Sequence, residues 1–339
     1  MLAREVSPGP LRLMRAARFW LAALAVLLGT ASASWAAPNQ FAIVSDIHPS
    51  ADPKGGGREA QMRSLTEQLV KLNPTFVIQL GDFCGDPGAD PDLSRLEHGV
   101  QIFHRLREAG IDVYPVMGNH DIETDNKINF LCGHTPPFNP ELDPKLNQVV
   151  YDRWCRQHRY WYSFNRGGIH FVIIDSNLSP KTDPGGEPPL EAMQSFMARD
   201  LCQHQNNPNQ FPTLVFLHHP EYMTGDRGCT GRPLRRALAQ GLEQGLGHTV
   251  AAAFAGHWHY YQYFPAEEQL GVQVYATPPS VHSERHNPEY IVATVEADRI
   301  TFATVDTATG GPGKSGAVYY PIAGKFTSLD DRSAKPVAN

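Results

Sequence analysis

Five short apolar runs in this chain each lead into a polar or charged cluster, and this repeated pattern constrains the fold more than any other feature. Residues 41–45 run into Asp46-Ile47-His48, residues 75–80 into Gly81-Asp82, and residues 111–116 into Gly118-Asn119-His120-Asp121. Further on, residues 211–217 end at His218-His219-Pro220, and residues 249–255 at Gly256-His257-Trp258-His259. Apolar runs this short, bounded by turn residues, read as buried strands. Between the first three lie stretches of helical period. Met62, Leu65, Leu69 and Leu72 are stopped by Asn73-Pro74, and Leu96, Val100, Phe103 and Leu106 are closed by Gly110. A β-α-β-α-β opening predicts a largely parallel sheet with helical crossovers. Functional groups in such sheets gather at the carboxyl ends of strands, which is where all five clusters fall.

The second half is richer in strands. Residues 160–164 and 169–174, joined around 165–168, read as a hairpin that opens a second sheet. Residues 260–264, 272–275, 290–296 and 300–305 read as further strands, and Met193, Phe196, Met197 and Leu201 as one face of a helix. Leu234, Leu238, Leu242 and Leu246 form a second helical face, read as core. Residues 122–159 hold four prolines and two cysteines and are too long for a plain connection, so they read as a substrate-shaping insertion. The expected division is a signal peptide at 1–36, one domain at 37–306, and a loose tail at 307–339 where the apolar pattern fades.

The signal-peptide reading rests on Arg4, Arg12, Arg15 and Arg18, the apolar stretch 19–28, and small residues at 31–33 or 34–36 for cleavage. The apolar stretch falls well short of the roughly 20 residues a membrane span needs, so no stable membrane anchor is expected after cleavage. Without an Arg-Arg pair before it, a Sec-type route to the periplasm or exterior is expected. Losing this segment's four arginines and one glutamate takes the net charge from −6 to −9. That acidic balance argues against a nucleic-acid-binding surface. Cys84, Cys132, Cys155, Cys202 and Cys229 show no CxxC spacing, which argues against a thiolate zinc site. Cys132–Cys155 and Cys202–Cys229 are the expected disulfides, each bracketing a loop-rich insertion, with one thiol left over.

The strand ends supply carboxylates from Asp46 and Asp82, an amide oxygen from Asn119, and imidazoles from His48, His218, His257 and His259. This donor set suits divalent or trivalent ions such as Fe, Mn or Zn. Seven ligands exceed one tetrahedral site and suit two ions about 3.5–4 Å apart that share a carboxylate. The ions would also bring the positive charge with which an acidic protein holds an anionic substrate. In Asp46-x-His48 and His257-x-His259, residues two apart are expected to leave a strand on the same side. His219 is the alternative to His218. His120 is placed toward substrate, to steady phosphoryl oxygens and protonate the leaving oxygen, with Asp121 orienting its ring and raising its pKa. Asp175 is read as a structural group and Trp258 as packing beneath the site, while His282 and His286 are candidates to line the mouth.

The ordered blocks D-x-H, G-D, G-N-H-D, H and G-H-x-H resemble the calcineurin-like metallophosphoesterase superfamily. The resemblance implies an α/β fold, a four-layer αββα sandwich of two mixed sheets. It implies that Asp46, His48, Asp82 and His259 hold a first metal, that Asp82 bridges, and that Asn119, His218 and His257 complete a second. Together with the signal-peptide reading it implies an exported hydrolase of small phosphate esters, in which a metal-bound hydroxide attacks phosphorus and His120 is the acid; acid-phosphatase-like flanking segments favour monoesters. A phosphodiesterase for cyclic nucleotides or lipid headgroups is the alternative, and a non-catalytic metal-binding surface module is a third reading. Residues 160–164, 169–175, 218–222 and 256–261 are also similar to the purple acid phosphatase branch. That branch lacks the histidine of D-x-H and has a tyrosine three residues after the G-D aspartate. Here His48 is present and Gly85 stands at the tyrosine position, so no tyrosinate–iron absorption band is expected.

Overall fold

The computed structural model describes residues 39–49, 56–83, 93–121, 160–177, 189–205, 212–220, 250–265, 272–281, 287–296 and 298–321. The expected signal peptide at 1–36, the 122–159 insertion, the leucine stripe at 234–246, His282 and His286 lie outside the described residues, as do all five cysteine side chains. Among the described residues no helix is long and apolar enough to cross a membrane.

The first three apolar runs are strands β1 (Gln40–Val44), β2 (Phe76–Gln79) and β3 (Asp112–Pro115), buried almost throughout. Burial on both faces of a sheet requires a layer on each side. On one side, helix α1 (Gly56–Leu72) contributes Met62, Leu65 and Leu69, and α2 (Leu93–Glu108) contributes Ile102, Phe103 and Leu106. α1 ends where Asn73 turns into a left-handed conformation (φ 50°) and donates its N–H to the Leu69 carbonyl at 2.9 Å, just before Pro74.

The second sheet supplies the other layer. It consists of β4 (Tyr162–Arg166), β5 (Ile169–Ile173), β6 (Thr213–Leu217), β7 (Val250–Ala255), β8 (Gln262–Phe264) and β9 (Gln273–Ala276), in the order β4-β5-β6-β7-β9-β8. Period-two alternation divides its side chains. Phe171, Leu214, Phe216 and Phe254 point toward the first sheet, while Val172, Ile174, Val215 and Leu217 cluster with Met193, Phe196 and Met197 of α3 (Pro189–Gln205). An aromatic ladder joins the sheets. Phe41 stacks on Phe76 at 5.0 Å, and both meet Phe171 edge-on at 5.4 and 5.3 Å; Phe254 lies 4.7 Å from Phe302. Such pairs add about 0.5–1.5 kcal/mol each beyond the area they bury.

The first sheet is completed by β10 (Glu289–Val295), β11 (Arg299–Asp306) and β12 (Pro312–Pro321), in the order β12-β11-β10-β1-β2-β3. β1, β2 and β3 run parallel and the other pairs antiparallel, while β5, β6, β7 and β9 run parallel in the second sheet. Two mixed sheets face to face, with helices outside, make the expected four-layer αββα sandwich. The expected loose tail needs correction, because the chain after 306 turns back as β12 and pairs with β11 as far as Pro321. The Asp306 carboxylate holds this turn, accepting the N–H groups of Ala308 and Thr309 at 2.9 and 2.8 Å.

Candidate metal centre

The carboxyl ends of parallel strands from both sheets open onto one edge of the sandwich, and the site is assembled there. Its loops are strained. Asp46, His48, Asp82, His257 and His259 all take left-handed conformations, with φ between 41° and 68°. Each costs an L-residue about 1–2 kcal/mol, and such strain persists only where surrounding structure over-determines it. The D-x-H and H-x-H pairs are therefore not brought together by strand pleating, as the spacing predicts. Left-handed backbone at both members of each pair turns their side chains inward.

Hydrogen bonds fix these loops to one another. The N–H groups of Ile47 and His48 both donate to the Asp82 carbonyl, at 3.0 and 3.1 Å. The Gln79 side chain clasps Gly81, accepting its N–H at 2.9 Å and donating to its carbonyl at 2.7 Å. Two glycines leave room for the carboxylates. A Cβ on Gly118 would collide with the side chain and amide of Asp82, and one on Gly256 with Ser45 and the Asp46 carboxylate.

Two groups of donor atoms result. Asp46, His48, Asp82 and His259 bring ligand atoms within 4.8 Å of one another, and so do His218, His219 and His257. In the first group His48 Nε2 lies 3.1 Å from His259 Nε2 and 3.4 Å from Asp82 Oδ2, and His259 Nε2 lies 3.3 Å from Asp46 Oδ1. Asp82 Oδ2 also lies 3.2 Å from His218 Nε2, so one carboxylate oxygen faces both groups. Asn119 Oδ1 stands 3.1 Å from the same His218 nitrogen. His218 donates its Nδ1–H to the Leu80 carbonyl at 2.7 Å, which leaves Nε2 to point inward.

Burial pushes the Asp46 and Asp82 carboxyls up, but the opposing imidazoles outweigh it. The hydrogen bond from His259 to Asp46, and the charge of His218 beside Asp82, hold both groups below the usual carboxylate range. Burial opposes charge on His218 too, yet Asp82 wins and raises its pKa to about 10. His219 goes the other way, to about 2, through burial and the neighbouring His218 and His257. A position that draws a proton between Asp82 and His218 also draws a metal cation. Among the described residues the donors are oxygens and imidazoles, which fit Fe, Mn or Zn.

His120 sits at the rim, its side chain 16% exposed. Its backbone N–H donates to Asp82 Oδ1 at 3.0 Å, its Nε2 lies 3.8 Å from Asp82 Oδ2, and its ring meets His48 edge-on at 5.1 Å. Asp121 Oδ2 accepts the backbone N–H groups of Asp82 at 2.9 Å and Gly118 at 2.8 Å, a part that its place beside His120 does not announce. It braces two ligand loops. Asp175 is fully buried, bonded by its own Asn177 and pushed up to about 6 by burial. Trp258 packs beneath, stacked 5.5 Å from Tyr260.

Several supporting residues carry no motif and escaped the sequence reading. Ser45 hydrogen-bonds Asp46, Ser176 contacts His218 and His219, and the Asn177 amide donates to the Met117 carbonyl at 2.8 Å. A small polar residue directly beside a ligand or at a strand end was the available signal.

A family model described as calcineurin-like phosphoesterase matches residues 40–261. Among solved structures, a dimetal phosphatase from Danio rerio is similar over 84% of this chain and 100% of its own, at 16% identity and a TM-score of 0.60. GAP50, described as the anchor in the inner membrane complex of Plasmodium, is similar over 84% of this chain and 89% of its own, at 14% identity and a TM-score of 0.56. At these identities the likeness shows the fold alone. No curated protein matches the chain.

Proposed function

Because the chain belongs to the calcineurin-like phosphoesterase family, we propose that it is an exported two-metal hydrolase of small phosphate monoesters. The observation that carries this reading is the place of Asp82 Oδ2, within 3.4 Å of His48 in one donor group and 3.2 Å of His218 in the other. Asp46, His48, Asp82 and His259 would hold one ion, and Asp82, Asn119, His218 and His257 the second. When bound, the pair supplies positive charge against phosphoryl oxygens and lowers the pKa of water at the site. The protein's own part is to aim these donors from two sheets and to keep His120 at the rim. There its imidazole can contact a phosphoryl oxygen and deliver a proton to the departing alkoxide. Asp121 acts one step back, keeping the Asp82 and Gly118 loops in place.

Elemental analysis of metal-loaded protein, followed by monoester and diester assays on the same sample, tests the reading. About two ions per chain and a higher kcat/KM on monoesters are expected; a preference for cyclic or lipid-headgroup diesters would overturn the monoester assignment. His120→Ala should keep its metal and lose roughly 10²–10⁴ in kcat on a substrate with a poor leaving group. Unchanged turnover on that substrate would remove the acid role. Export predicts a mature N-terminus near residue 34 or 37, read by N-terminal sequencing; an intact Met1 in exported protein would contradict it. A metal-binding surface module without turnover is the rival reading. Inactivity across a phosphoester panel would favour it.

A further inference from the structure

Ser176 follows β5 and belongs to none of the ligand blocks, yet its hydroxyl touches the metal centre at three points. Its Oγ accepts the backbone N–H of His218 at 3.2 Å and of His219 at 2.9 Å, and lies 2.9 Å from His219 Nδ1. A serine hydroxyl has two lone pairs and one proton. The two amides fill the lone pairs, so the proton goes to His219 Nδ1. A neutral imidazole that accepts at Nδ1 carries its own hydrogen on Nε2. His218, one residue earlier, is arranged the opposite way, with Nδ1–H on the Leu80 carbonyl at 2.7 Å and Nε2 facing Asp82 and Asn119. With a metal in place of the proton that His218 Nε2 shares with Asp82, the adjacent histidines would present opposite tautomers to one site.

We infer that His219, although clustered with His218 and His257, is not a metal ligand but a neutral N–H donor fixed by Ser176, which binds an oxygen of the tetrahedral phosphate group. A histidine ligates through an unprotonated nitrogen, and both nitrogens of His219 are otherwise committed, one to the serine proton and one to its own hydrogen. One of its ring nitrogens lies within 4.8 Å of the donor nitrogens of His218 and His257, and its ring lies 4.3 Å from the His257 ring and 4.8 Å from that of His218. Asn119 is left as the natural third donor beside His218 and His257. An N–H that cannot bind metal but stands beside the donors that would is suited to a metal-held oxyanion. The identity of the ligand rests on the phosphoester reading; the tautomer does not.

Zinc-loaded parent and variants would be titrated with inorganic phosphate by calorimetry, with zinc per chain measured on each sample. His219→Ala is expected to keep the parent's zinc content while phosphate affinity falls roughly tenfold to a hundredfold. His219→Gln, whose amide N–H reaches a similar distance, should recover much of that loss, and Ser176→Thr should bind phosphate as the parent does. Loss of a zinc ion in His219→Ala would make His219 a ligand and overturn the inference, as would unchanged phosphate affinity. A parent that binds no phosphate would instead overturn the phosphoester reading. In that case ¹⁵N NMR of the His219 ring still decides the tautomer: a hydrogen on Nε2 supports the assignment, and one on Nδ1 refutes it.

Discussion

The two sheets bring different chemistry to their shared edge. The first contributes the oxygens of Asp46, Asp82 and Asn119 together with His48 and His120, whereas the groups converging from the second are the imidazoles of His218, His219, His257 and His259. Asp175, at the end of β5, marks the contrast. Asp46 and Asp82 are held well below the usual carboxylate range, since imidazoles face them across the gap and outweigh burial. Asp175 is equally buried, its hydrogen bonds among the described residues come from Asn177, and burial pushes it up to about 6. Depth inside this protein does not set the charge of a carboxylate; what faces it from the other sheet does.

Removing the shared carboxylate tests this division most severely. Asp82→Asn keeps an oxygen for the His120 amide but discards the charge that faces both donor groups. Turnover should fall by more than the roughly hundredfold typical of losing an outer partner of a metal ligand, with metal lost from both positions on elemental analysis. Retention of two ions would break the claim that Asp82 joins the groups.

Asp175→Asn addresses the other side of the contrast. With a folded pKa near 6 against 3.8 for the free group, the folded state binds the proton more tightly. Its stabilising contribution is complete below pH 3.8 and is lost as pH rises through 6. The variant keeps both hydrogen bonds from Asn177 and cannot ionise. It should therefore gain about 2 kcal/mol over the parent between pH 4 and pH 7, read from denaturant midpoints at the two pH values. A difference that does not change with pH would show that Asp175 is not held protonated by burial.

The glycines offer a smaller and finer test. Gly118→Ala and Gly256→Ala should each cost about 1–3 kcal/mol through overpacking, measured by chemical denaturation. Their metal losses should differ. The Cβ at Gly118 meets Asp82, which serves both positions, while that at Gly256 meets Asp46, which serves one. Equal loss of both ions in the two variants would blur the assignment of Asp46 to the first group.

The strands and the polar blocks that they carry to one edge were legible because both are local signals: an apolar run, then a polar block, each within a few residues. What depends on distant partners was not. Asp121 reads as a companion to its neighbour His120, yet its carboxylate reaches the Asp82 amide across 39 positions of sequence. The D-x-H pair reads as strand pleating, whereas Asp46 and His48 sit at φ 48° and 41°, a conformation that only the surrounding bonds enforce. Ser176 is one serine among many until its hydroxyl is seen between two histidines. β12 was hidden because it begins Pro-Gly-Lys-Ser-Gly, without apolar alternation, and follows a turn fixed by Asp306.

The central claim is that donors from two sheets make one paired site through Asp82. Anomalous X-ray diffraction from crystals of manganese- or zinc-loaded protein tests it directly. The account expects two peaks about 3.5–4 Å apart on either side of Asp82 Oδ2, with Asn119 Oδ1 and not His219 in contact with the second. A single peak, or two that do not share Asp82, would contradict it.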